Sequence, residues 1–361
     1  MPIVAHNNLP TFDRLSHEGV TVMSPERASQ QDIRELHFGL LNMMPDAALE
    51  ATERQFFRLV GESNPIAQFH VHPFSLPELA RGDEAKAHIA RYYEDFAAIR
   101  EEGLDGLIIT GANVSQPDLA KEPFWEPLMD VYSWARENVT SVLCSCLASH
   151  AVLQYAHGIR RRALPAKRWG VYPHTVVERS HPLVNDVNTL FDVPHSRFNE
   201  VYRSQLEEAG LHVLVESEAG VHLAVSEDGF RTVYFQGHPE FDVISLLKEY
   251  KREVMSFAHG QRADYPPFPE HYFSAQSRAI FDEYRDKLVE AINTGTTLPD
   301  FPEKEVIPQL HNTWHDTGEA VVGNWIGLVY QVTSRERAIP FMDGVDPSDP
   351  IGWLSGRRPG N

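Results

Sequence analysis

Thr140-Ser-Val-Leu-Cys-Ser-Cys-Leu-Ala-Ser-His150 decides the fold. Thr140 to Cys144 are mostly β-branched or apolar and suit a buried strand. From Leu147 the apolar spacing changes, and Leu147, Ala151, Leu153 and Tyr155 suit a helix that stops at Gly158. Cys146 stands at the corner. A residue there points out of the carboxyl end of a sheet, towards the free N–H groups of the helix start. A cysteine in that place has a lowered pKa and is a good nucleophile. Taken alone, it reads more readily as a small buried apolar side chain.

A second stretch shifts that balance. Thr232-Val-Tyr-Phe-Gln-Gly-His-Pro-Glu-Phe-Asp242 is a buried strand ending at Gly237, followed by His238 and Glu240. It supplies a base and a carboxylate to hold it. With Cys146 at another strand end, the set matches nucleophile, base and orienting acid in covalent catalysis.

The rest of the chain supports a parallel sheet. Leu36 to Met43, Gln68 to His72 and Leu104 to Thr110 are short apolar runs that read as strands. Helices are expected over 47–60, with Gly61 as the stop, over 83–101, with Asp83 as N-cap, and over 123–138. The alternation predicts an α/β fold with a doubly wound, mainly parallel sheet. Sites in such sheets lie outside the carboxyl ends of the strands, where Gly111, Cys146 and His238 all fall. Short strands over 171–178, 212–216, 221–225 and 232–236 suggest an antiparallel extension. C-terminal helical additions follow, over 242–258, 277–294 and 320–330. In the second of these, Ile280, Phe281, Tyr284, Leu288 and Ile292 share one face.

Residues 1–34 look irregular apart from 19–23 and form an N-terminal arm. Residues 35–333 form the catalytic domain, with a proline-rich and helical insertion at 260–310. Residues 334–361 read as a tail. The insertion is expected to be a subunit interface or a cap on the core, and a homodimer is expected.

Composition narrows the function. The 361 residues carry a formal charge of −19, which argues against general nucleic-acid or membrane-surface binding. Apolar content of 42% is ample for a core. The two cysteines are two positions apart and form no useful disulfide, which suggests a cytoplasmic location. No leader-like start and no apolar run of about 20 residues is present. His70 and His72 share a strand face at a spacing that can bind metal, but no third ligand is marked, so no metal is expected. Arg160-Arg-Arg162 with Arg168 can meet coenzyme A phosphates or form a solvated loop.

At this point the chain resembles the homoserine O-succinyltransferase family of homoserine O-acyltransferases. The resemblance runs from Met1 to about Thr333. It rests on the Met-Pro-Ile start, Arg27-Ala-Ser29, Leu41-Asn-Met-Met-Pro45, Thr110-Gly-Ala112, Cys146 with its helix, Gly170-Val-Tyr172, Pro194-His-Ser-Arg197, Gly237-His-Pro-Glu240, Asn324-Trp325 and Val329-Tyr-Gln-Val-Thr333.

The resemblance implies a fold like the class I glutamine amidotransferases. It also implies transfer of a succinyl group from succinyl-CoA to L-homoserine in methionine biosynthesis, with no bound cofactor. By this likeness Cys146 takes the acyl group, His238 is the base and Glu240 orients it. Arg252 binds the homoserine carboxylate, Lys167 and Ser196 are substrate-binding positions, and Ser115 governs acyl choice. Leu147 N–H and a backbone N–H from Ala112 or Asn113 are candidate oxyanion donors.

There are departures from the family pattern. Asp46-Ala47 stand where a lysine usually follows the Met-Pro pair. Gly111-Ala-Asn113 replaces Gly-Ala-Pro. Ser115 is neither the glycine that goes with succinyl nor the glutamate that goes with acetyl. A small, uncharged serine favours succinyl, because a glutamate would repel the free carboxylate. Acetyl transfer on the same scaffold, glutamine amidotransfer, and a non-catalytic binding role are the alternatives. Serine also remains open as an acceptor, since one methylene discriminates by only about 1–3 kcal/mol.

Overall fold

The computed structural model describes residues 3–63 and 67–356. Met1 and Pro2 of the family-like start, and residues 357–361 of the expected tail, lie outside that range. The strands are β1 (Ile3–Val4), β2 (Val22–Met23), β3 (Glu35–Leu41), β4 (Gln68–Phe74), β5 (Gly106–Ile109), β6 (Ser141–Ser145), β7 (Arg162–Val176), β8 (Leu190–Glu200), β9 (His212–Ser217), β10 (Gly220–Val225) and β11 (Thr232–Phe235). The helices are α1 (Pro10–His17), α2 (Pro25–Ala28), α3 (Asp46–Glu62), α4 (Asp83–Tyr92), α5 (Phe96–Glu102), α6 (Trp125–Asn138), α7 (Leu147–His157), α8 (Arg203–Glu208), α9 (Ser245–Ala258), α10 (Ala275–Thr294), α11 (Glu303–Val306) and α12 (His315–Val332).

All the strands join one sheet in the order β2-β1-β4-β3-β5-β6-β11-β10-β9-β7-β8. From β2 to β11 the neighbours are parallel. From β11 to β8 they are antiparallel. This is the doubly wound α/β sheet with an antiparallel extension that the pattern predicted. The chain moves outward from β3 to β4, then crosses to β5 on the other side, so the crevice opens over the ends of β3, β5 and β6.

The parallel strands are apolar on both sides because both faces are covered. One face packs with Phe12 of α1, Phe56 and Phe57 of α3, and Trp325 of α12. The other packs with Ile99 of α5, Leu128 and Tyr132 of α6, and Ala148 and Val152 of α7. Gly158 adopts the left-handed conformation and ends α7, as expected.

Several elements differ from the sequence reading. Residues 3–34 are not mainly irregular: β1 and β2 extend the parallel edge, and α1 buries Phe12 and Leu15. Gly61 does not stop α3, which runs on to Glu62. A β-carbon at Gly61 would stand 3.2 Å from Val20 Cγ1 and 3.7 Å from Ile3 Cβ, so its role is to admit the arm. The helix expected over 83–101 is two helices, broken where Tyr93 turns extended and Asp95 caps α5. Gly82, not Asp83, is the N-cap of α4.

The sequence reading also missed β8. β7 begins at Arg162, nine residues before the expected strand, and pairs along its length with β8. The insertion builds a third hydrophobic cluster on α9 and β7. Phe281, Tyr284 and Leu288 of α10 pack with Tyr250 and Val254 of α9 and with Trp169 of β7. Ile292, expected on that apolar face, is 39% exposed. Ser274 caps the start of α10 and Gly295 its end. Of the expected tail, Phe341 and Ile351 are buried.

Candidate active site

Cys146 sits between β6 and α7 at φ 51 and ψ −109. Its N–H donates to Phe235 O of β11 at 2.7 Å, locking the corner onto the neighbouring strand. Leu147 opens α7, so its N–H lies among the free donors of the helix start. The loop after β5 passes directly over this corner. A β-carbon at Gly111 would lie 3.7 Å from Cys146 Cβ and 3.9 Å from Leu147 N. Beyond it Ala112 is half-buried and Asn113 is exposed. Cys144, one turn of strand earlier, is buried, and burial pushes its thiol well above the usual range.

His238 and Glu240 follow β11, the strand beside β6. His238 Nδ1 lies 2.8 Å from Glu240 Oε1, and the ring stacks on Phe241 with centroids 4.3 Å apart. The His238 N–H donates to Pro194 O of β8 at 2.9 Å. Gly237 is held close: a β-carbon there would come within 2.4 Å of Val193 Cγ1 and 2.8 Å of His222 Nδ1. Burial opposes protonation of His238. The Glu240 carboxylate and Cys146, which is within hydrogen-bonding reach, outweigh it and raise the imidazole pKa well above its usual range. The arrangement therefore places the Cys146 sulfur beside an imidazole that favours its protonated form, with a carboxylate behind.

Lys167, Ser196 and Arg252 converge on a residue that the sequence reading missed, Glu249. Lys167 Nζ and Ser196 Oγ each donate to Glu249 Oε1 at 2.7 Å, and Trp169 Nε1 donates to Oε2 at 3.0 Å. Arg252 Nη2 lies 3.6 Å from Glu249 Oε1 and is largely exposed. Burial alone would raise the Glu249 pKa. Lys167, Ser196 and Arg252 reverse this and hold it below the usual carboxylate value. Lys167 comes from β7, Ser196 from β8, and Glu249 and Arg252 from α9. Glu249 gave no sequence signal because one glutamate on an amphipathic helix looks like part of a solvated face.

Ser115 is exposed, and the N–H groups of Ser115 and Gln116 both donate to Glu122 Oε1 at 2.6 Å. Arg161 Nη2 donates to Gln116 O at 3.1 Å. Burial lowers the Arg161 pKa, and Glu122 and Cys146 lie close enough to oppose that. The basic cluster is otherwise dispersed. Arg160 pairs loosely with Asp118 and Arg168 with Glu200, each at 3.8 Å. Beside Asp46 a cation is present: Arg81 donates to Met44 O, and to Asn42 O at 3.3 Å.

No helix among the described residues is long and apolar enough to cross a membrane. The sequence model described as "HTS: Homoserine O-succinyltransferase" matches residues 2–335. The chain is 66% identical to a homoserine O-succinyltransferase of Allochromatium vinosum, over 99% of this chain and 100% of that one. It is 63% identical to a homoserine O-succinyltransferase of Methylococcus capsulatus, over 98% and 99%. A solved glutamine amidotransferase from Methylobacillus flagellatus aligns with a TM-score of 0.42 at 16% identity, covering 82% of this chain and 95% of that one.

Proposed function

The chain belongs to the homoserine O-succinyltransferase family, and on that premise we propose that it transfers the succinyl group of succinyl-CoA to L-homoserine through a thioester on Cys146. The observation that supports this reading most is the Cys146 corner packed against the His238–Glu240 pair on the adjoining strand end.

In the first half-reaction the Cys146 thiolate attacks the thioester carbonyl. The carbon–sulfur bond to coenzyme A breaks, and His238 gives its proton to the departing thiolate. Leu147 N–H, with Ala112 or Asn113 N–H, faces the developing oxyanion. In the second half the homoserine hydroxyl attacks the acyl carbonyl and neutral His238 takes its proton. The bond to Cys146 then breaks and O-succinyl-L-homoserine leaves. The thiolate and imidazolium are restored, so protons and electrons balance over one turnover. Arg252 grips the homoserine carboxylate with two parallel hydrogen bonds. Glu249, with Lys167 and Ser196 around it, offers a negative charge to the ammonium group of the same substrate. Ser115 leaves room for the succinyl carboxylate.

The transfer needs no bound cofactor or metal. The setting is cytoplasmic and the assembly homodimeric, which light scattering on the purified protein checks. The central experiment is intact-mass measurement with succinyl-CoA, and separately with acetyl-CoA, in the absence of acceptor. A succinyl adduct is expected that homoserine discharges and that Cys146→Ala abolishes. An adduct from acetyl-CoA alone would keep the mechanism and overturn the reading of Ser115. Absence of any adduct would overturn the covalent route.

A further inference from the structure

The geometry points to a second site: we propose that His6, His72 and Glu94 bind one divalent transition-metal ion of the zinc class, at the sheet edge remote from Cys146. The three residues are far apart in sequence. His6 follows β1, His72 lies in β4, and Glu94 lies in the break between α4 and α5. His72 Nδ1 is 2.9 Å from Glu94 Oε1 and His6 Nε2 is 3.4 Å from the same oxygen. All three ligand atoms lie within 4.8 Å of one another. A tetrahedral zinc ion with bonds of about 2.0–2.1 Å sets its ligand atoms about 3.3 Å apart, so small shifts would close these donors on one ion.

Both imidazoles are already oriented through their far nitrogens, as metal-binding histidines usually are. His6 Nδ1 lies 3.2 Å from Val4 O and donates to it. Nε2 is then turned towards the Glu94 carboxylate, where a proton or a metal ion can lie between the two, and Asn7 Nδ2 lies 3.5 Å from the same nitrogen. His72 Nε2 lies 2.8 Å from His37 Nδ1, a bond that frees Nδ1 as a donor to metal when the proton sits on Nε2. Side-chain exposures of 16% for His6 and 30% for Glu94 leave the fourth position open to water.

A neighbouring trio, Glu35, His37 and His70, fits less well. The His37 and His70 rings lie parallel, 4.5 Å apart, so their lone pairs do not converge. The charge of Arg337 also acts on both. The sequence reading looked to His70 with His72, but the strand instead offers His72 to the N-terminal arm. In the sheet β4 is separated from β6 by β3 and β5. The ion would tie the arm to the sheet and take no part in acyl transfer.

The test uses full-length metal-stripped Cys146→Ala protein, which removes the catalytic sulfur as a competing ligand. Zn²⁺ is titrated calorimetrically, and Co²⁺ by its visible absorption. One ion per chain is expected, with a raised Tm. His6→Ala, His72→Gln and Glu94→Gln should each weaken binding at least tenfold, and His37→Gln by about 10–100-fold. Circular dichroism matched to the parent confirms that each variant folds. Wild-type acyl transfer should not change on stripping. No saturable binding at one ion per chain overturns the proposal. So does binding that folded His6→Ala and His72→Gln leave unchanged.

Discussion

Cys146 holds a backbone conformation, φ 51 and ψ −109, that costs a residue with a β-carbon about 1–3 kcal/mol. Cys146→Gly relieves that strain. It should raise unfolding stability by about 1 kcal/mol in urea titrations while abolishing the acyl adduct. Glu240→Gln should lower kcat by about 10²–10⁴-fold, because His238 loses the group that orients it. It should also move the alkaline limb of the pH–rate profile to lower pH. The sign follows from His238: burial lowers its pKa, and Glu240 and Cys146 raise it well above the usual value. Removing the Glu240 carboxylate lets burial act. The raised value contributes stability that is complete below the unfolded pKa of about 6.5 and is lost as pH rises through the folded one. Cys146, His238 and Glu240 were legible because each sits just past a strand end, where few residue types carry a reason to be. Glu249 was not. Its meaning depends on which distant segments fold against it, and no local pattern records that.

Among the elements, α10 is the one whose purpose the sequence left open. Phe281 is fully buried, and its ring stands 5.0 Å from that of Tyr250 in α9, the helix that carries Glu249 and Arg252. Phe281→Ala should cost about 3–5 kcal/mol in urea unfolding. It should raise KM for homoserine more than KM for succinyl-CoA, because α9 loses its support. A uniform change in both would remove the link between α10 and the acceptor site. The insertion is also joined to β7 through backbone bonds between Trp169, Val171 and Glu270. A β-carbon at Gly170 would lie 2.2 Å from Glu270 O. The parallel strands were legible as nearly unbroken apolar runs. β8 was not: Ser196 reaches Glu249 on one face, while His195 and Arg197 bond to each other on the opposite one, so polar residues break the apolar pattern on both sides. The helix break at Tyr93–Asp95 was missed for a similar reason. Helical spacing continues through it, and the turn serves distant contacts: the Glu94 N–H donates to Pro73 O, and its carboxylate meets His72 and His6.

Across the whole molecule, buried imidazoles set the response to acid. Burial pushes His150, His174 and His181 each down to about 4. The unfolded chain, with histidines near 6.5, then binds more protons than the folded one at any pH between these values. Stability is therefore present above about 6.5 and is lost as pH falls towards 4. Each such histidine adds up to about 1.4 kcal/mol per pH unit. The urea midpoint should fall steeply between pH 7 and pH 5, and a flat midpoint over that interval would contradict the buried neutral state. The sheet class was legible from alternation alone. The edge role of residues 3–34 was not, because β1 and β2 are two residues each and gain their partners only from the rest of the sheet.

The placing of α12 also has a meaning in time. Trp325 packs on Phe38 with rings 5.4 Å apart, and its Nε1 donates to Ser141 Oγ at 2.8 Å. One face of the central strands is therefore closed by the last helix among the described residues. At about 5–20 residues per second, a ribosome needs roughly 15 s to 1 min to go from Phe38 to Trp325. During that interval α1 and α3 cover that face only in part, and the core cannot be completed. Final folding therefore awaits the synthesis of α12, and until then the incompletely covered face is open to aggregation.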